Sequence, residues 1–146
     1  MSHTILVIIH LFAAFIFVGT VFFEVLMLEG IRSRVPRESM REVELAIGRR
    51  ARKFMPWVIL ALYGAGIGLA WQYREALAHP FASGFGTLLS LKIILALSVL
   101  AHFISAITLS ARGLLKSRHF RRIHISVFLH MLGIILLAKI MFYVHW

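Results

Sequence analysis

The chain has 146 residues, of which 60% are hydrophobic, with a mean hydropathy of +0.88 and a formal net charge of +10. So apolar a balance excludes an ordinary soluble domain of this length. There is no cysteine, which excludes disulfides, thiolate metal sites and cysteine-anchored c-type haem.

Four windows are nearly free of charge, near residues 4–28, 54–73, 87–110 and 124–145. Each is long enough to cross roughly 30 Å of hydrocarbon. The expected fold is therefore all-α, an integral membrane four-helix bundle forming a single transmembrane domain over residues 1–146. The first window has no basic residue before it and no small-residue cleavage site, so it reads as a spanning helix rather than a signal peptide.

Helix one reads HTILVIIHLFAAFIFVGTVFFEVLML, with His10 and Glu24 embedded in apolar sequence. The next stretch, Arg37-Glu38-Ser39-Met40-Arg41-Glu42-Val43-Glu44, mixes charges at helical spacing. It is expected as an interfacial amphipathic turn or an extension of a helix. Pro36 suits a first helical turn there. Helix two is expected to begin at Phe54-Met55-Pro56-Trp57, with Pro56 near its start. Gly64 and Gly68 form a small-xxx-small face for close packing, either within the chain or in a homodimer. Trp57, Trp71 and Tyr73 read as interfacial aromatics.

A short turn-rich loop with His79, Pro80 and Gly84 leads to helix three, which carries Lys92 and His102. Helix four carries His130 and Lys139, and Tyr143, His145 and Trp146 are expected at its outer interface.

Thirteen of the sixteen cations flank one side: Arg32 to Lys53 in the first loop, and Arg112, Lys116, Arg118, Arg121 and Arg122 in the third. This is the distribution expected of cytoplasmic loops, which puts both termini outside; in a bacterium that means an inner-membrane protein with periplasmic termini. The partner of these cations is the anionic surface of the lipid bilayer, not nucleic acid.

Titratable groups at bilayer depth are costly and normally find a partner or a ligand. Counting helical rise from the outer boundary, His10 lies roughly 9 Å deep, Lys92 roughly 7–8 Å and Lys139 roughly 9 Å. From the inner boundary, Glu24 lies about 6 Å deep, His130 about 9 Å and His102 about 12 Å. One reading gives each group a local partner: a backbone carbonyl or Ser98, Ser105 or Thr108 for His102, the interface for Lys139, and Arg32, Arg49 or Arg50 for Glu24. The sharper reading is haem b, which needs an axial nitrogen, an apolar slot and cations for its propionates. His10 with Lys92 as a neutral amine supplies one ligand set, and His102 facing His130 supplies another. Copper is the competing cofactor; Met27, Met55, Met131 and Met141 are scattered rather than paired.

The stretch His10-Leu11-Phe12 with Gly19, then Arg49-Arg50 before Met55-Pro56, then Leu91-Lys92-Ile93-Ile94 and His102, resembles the CopD-like membrane proteins and their HemJ-type protoporphyrinogen oxidase relatives. The resemblance runs over nearly the whole chain. On the HemJ side it implies His10 and Lys92 as haem-b ligands, Arg49 and Arg50 as part of the cofactor site, and an oxidoreductase acting on a porphyrin or linked to a quinone. On the CopD side it implies copper resistance or uptake. Phe22-Phe23-Glu24-Val25-Leu26-Met27 looks closer to the CopD branch.

Overall fold

The computed structural model describes residues 2–112 and 117–144, and the side chains of all of these except 117–120. Lys116, His145 and Trp146 lie outside the described residues, as does the side chain of Arg118. The described residues are helical with short connections, and four helices are long and apolar enough to cross a membrane. The chain divides into two compact units, Met1–Ala70 and Trp71–Trp146.

In the first unit, α1 (His3–Phe22) buries Leu6, Ala13, Phe17 and Val21, a stripe at helical spacing. It does not stop at Leu28. A π-helical turn, Phe23–Leu28, passes it on to Glu29–Ile31 and a final 3-10 turn, Arg32–Arg34, so the helical rod runs over His3–Arg34. The wider turn is visible in the Glu29 N–H, which reaches back to the carbonyl of Glu24.

Helix α2 (Arg37–Gln72) is 36 residues long. Its charged first part settles the choice left open by the sequence: it is an extension of the second helix, continuous with the apolar part. Pro36 stands just before the helix, where its carbonyl accepts the N–H of Met40 at 3.0 Å. Pro56 is not near a helix start as expected but inside α2. With no N–H, Pro56 cannot donate the helical hydrogen bond that other residues make four positions back. Arg32 joins the two helical rods through ion pairs with Glu29 and Glu44. Of the three cations expected to meet Glu24, Arg32 is thus bound to other carboxylates.

In the second unit, a short helix α3 (Arg74–Ala78) precedes α4 (Gly84–Ala111), and α5 (Ser117–Ile140) completes it. Ser83 caps α4, its Oγ accepting the Gly86 N–H at 3.1 Å. The Thr87 hydroxyl donates to the carbonyl of Pro80 at 2.7 Å, tying the loop to the first turn. Gly86 is required by close approach, because a Cβ there would stand 2.9 Å from the Ala76 carbonyl oxygen. Helices α4 and α5 run antiparallel: Phe85 meets Phe142, a Cβ on Gly133 would meet Leu95, Ser98 meets His130 and His102 meets Ser126. As one number rises the other falls, so a single register holds along the pair. Both helices extend beyond their expected starts, α4 to Gly84 and α5 to Ser117, and α5 ends at Ile140 with a turn through Tyr143.

Candidate functional site

Histidines make cross-helix hydrogen bonds at two places, one in each unit. In the first, His10 is half-buried on α1 and its Nδ1 lies 2.9 Å from the Leu62 carbonyl of α2. A carbonyl only accepts, so Nδ1 carries the proton and the neutral ring has its lone pair on Nε2. The ring lies over Gly66: a Cβ at that position would sit 3.2 Å from Cε1 and 3.4 Å from Nδ1 of His10. Two residues further along α2, a Cβ at Gly68 would sit 3.1 Å from both methyls of Leu6. The glycines that admit α1 are therefore Gly66 and Gly68. The expected pair was Gly64 and Gly68, but a Cβ on Gly64 would meet nothing within 4 Å. The period-two spacing Gly64-Ala65-Gly66-Ile67-Gly68 hides which glycines share the contact face.

Arg49 and Arg50 are exposed and do not join His10. Leu62, its partner, lies twelve residues beyond Arg50 on one continuous helix, about 18 Å along the axis. The two arginines instead line an open depression with Ala46, Arg52 and Lys53.

The second site lies between α4 and α5. The Nδ1–H of His102 donates to the carbonyl of Ser98, four residues back on its own helix, at 2.7 Å. The Nδ1–H of His130 likewise donates to the carbonyl of Ser126 at 2.7 Å. Each Nε2 then accepts a hydroxyl from the opposite helix, His102 from Ser126 at 3.0 Å and His130 from Ser98 at 3.1 Å. The rings are tilted by 52° with centroids 5.4 Å apart. Both ring nitrogens of both histidines are thus satisfied by protein groups. The facing of His102 and His130 matches expectation, and so does Ser98 as a local acceptor. Ser126 was missed, although Ser-x-x-x-His occurs twice, at Ser98–His102 and Ser126–His130.

Lys92 is half-buried on α4, with no hydrogen bond or ion pair among the described residues. The only carboxylate after residue 70 is Glu75, exposed on α3. Lys139 is exposed, its Nζ 5.6 Å from the centroid of the Tyr143 ring, a local cation–π partner on the last turn. Among the described residues, no three His, Asp or Glu side chains gather in a way that would hold a metal ion. No protein-family profile, curated protein or solved structure matches this chain.

Proposed function

We propose that the chain is a multi-pass membrane protein of redox type that holds haem b through Nε2 of His10. The membrane part is supported by the large apolar side chains that the four long helices leave uncovered, among them Phe12 at 69%, Phe15 at 77%, Leu60 at 65% and Ile94 at 61% exposure. Apolar surface on this scale needs lipid to cover it. The cation distribution orients both termini outward, in a bacterial inner membrane.

The single observation that carries the cofactor reading is the Nδ1–H bond from His10 to the Leu62 carbonyl. A metal-bound imidazole characteristically donates its other N–H to a carbonyl or carboxylate, which fixes the tautomer and the ring direction. His10 has that tautomer, Leu62 orients it, and Gly66 leaves room for the ring. Bound haem supplies one-electron redox chemistry. The resemblance to HemJ-type proteins points to an oxidoreductase working on a porphyrin, with a quinone as a further candidate electron carrier.

The test is an absorption spectrum of the purified protein. A Soret band at about 400–430 nm is expected, and His10→Ala is expected to abolish it. A colourless preparation binding Cu(I) stoichiometrically would replace haem with copper. A band fully retained in His10→Ala overturns the assignment to His10.

A second reading has its own observation. The His102–His130 arrangement satisfies every ring nitrogen within the protein, as histidines that only hold helices together do. If His10 has the same role, the chain is an accessory membrane subunit without a cofactor, and neither haem nor copper is found.

A further inference from the structure

The depression on α2 has a composition that the redox reading does not use. Arg49, Arg50, Arg52 and Lys53 place four cations in five residues, and no carboxylate occurs from residue 45 to residue 74. The carboxylate just before that stretch, Glu44, is held by Arg32. Ala46 lies one turn before Arg49 and Arg50 and two turns before Lys53, on the side these three share. Its methyl group leaves a hollow between long side chains, an open depression of about 500 Å³ lined by these five residues.

Position along the helix selects the ligand. The apolar part of α2 starts at Phe54, directly after Lys53, and runs about 27 Å to Trp71. That matches the thickness of a hydrocarbon core. Trp57, one turn inside, is 70% exposed, as an interfacial aromatic is. In a membrane the depression therefore stands at headgroup level, with an uncovered apolar helix face continuing from it.

We propose that this depression binds the phosphate of an anionic phospholipid. The Arg49 and Arg50 guanidinium groups and the Lys53 ammonium hold the phosphate through charge-assisted hydrogen bonds, and the acyl chains lie along α2 past Trp57. The inference rests on the membrane reading but not on the haem.

The test uses the full chain, purified in a neutral detergent, with native mass spectrometry counting retained lipid. Phosphatidylglycerol and phosphatidylcholine are offered at equal concentration. Wild type is expected to retain phosphatidylglycerol at least tenfold over phosphatidylcholine. Ala46→Glu leaves every cation in place but sets a carboxylate in the hollow, and is expected to remove the preference. Arg41→Gln changes net charge by the same one unit on the same helix, about 18 Å before Lys53, and is expected to keep it. Equal losses in the two variants would reduce the effect to bulk attraction and overturn the site. Full retention in Ala46→Glu, with unchanged helical circular dichroism, overturns it too. Inorganic phosphate that displaces the lipid at millimolar concentration would show a site for the free ion. Failure of the membrane reading is separate: the chain would then leave the membrane fraction on alkaline washing.

Discussion

His102 and His130 exchange serines. Each donates its Nδ1–H to the carbonyl of the serine four residues before it, and each accepts the hydroxyl of the other's serine. The arrangement is closed: the chain of donors ends on backbone carbonyls, which cannot pass a proton on. It works as a lock between α4 and α5 and not as a wire. In a lipid-facing helix pair such polar contacts take the place of the hydrophobic driving force that lipid removes.

The lock predicts a measurable coupling. Ser98→Ala removes the hydroxyl that His130 accepts and leaves the carbonyl that His102 uses. A double-mutant cycle of Ser98→Ala with His130→Ala should give a coupling of about 0.6–1.7 kcal/mol, the range of interhelical hydrogen bonds in membranes. Crossing Ser98→Ala with Ser126→Ala should give a sum of the two single effects, since these hydroxyls serve different histidines. Denaturant unfolding in mixed micelles measures both cycles. No coupling in the Ser98–His130 cycle would show the bond to be idle.

Gly66 carries the corresponding prediction for the first unit. A Cβ there meets the His10 ring at 3.2 Å, so the imidazole must shift by a few tenths of an ångström in Gly66→Ala and further in Gly66→Val. Small displacements of a ligating ring weaken a metal site out of proportion to their size, because orientation is set by the Leu62 bond. On the proposed haem assignment, the expected outcome is a modest fall in haem content for Gly66→Ala and a severe one for Gly66→Val. Gly64→Ala, where a Cβ meets nothing, should be silent. The ratio of Soret to protein absorbance reads all three.

Gly86 offers a test free of any cofactor. Its added methyl would meet the Ala76 carbonyl at 2.9 Å, and that atom belongs to the backbone of α3 and cannot rotate away. Gly86→Ala should cost about 1–3 kcal/mol, the usual penalty of overpacking. The unfolding midpoint should fall, while Gly19→Ala, in open space inside α1, should hold or raise it.

Four apolar helices were legible because about 20 uninterrupted apolar residues have few alternatives. The ends were not. The charged stretch before Phe54 could be a turn or a helix on charge spacing alone; in the structure it is part of α2 and is tied to the first rod by the Arg32 link to Glu44, a contact between residues twelve apart. His10 stood out as a titratable group in apolar sequence, but its partner is a backbone carbonyl, and every residue has one of those. His102 and His130 could be placed at similar depths by counting rise, whereas the exchange of serines depends on a register that no single helix contains. Arg49 and Arg50 were grouped with His10 by resemblance; the length of α2 separates them.

Lys92 gives the last prediction. Its amine is half-buried in the second unit, and no hydrogen bond or ion pair reaches it from the described residues. Glu75, the carboxylate of that unit, is seventeen positions away on another helix. A cation held in apolar surroundings without a partner costs stability, and that cost disappears when an unbranched apolar side chain of similar length replaces it. In protein freed of cofactor, Lys92→Met should raise the unfolding midpoint by about 2–4 °C, the shift that 1 kcal/mol gives in a chain of this size. On the proposed haem assignment, the haem-loaded protein separates two roles. A Soret band that moves in Lys92→Met identifies the amine as a ligand, for which methionine substitutes a weaker thioether. A band that stays, with the midpoint raised as in the cofactor-free protein, identifies it as a buried cation and nothing more. A lowered midpoint in cofactor-free protein would mean that the amine has a stabilising partner, and would overturn the account of Lys92 as an unpaired charge.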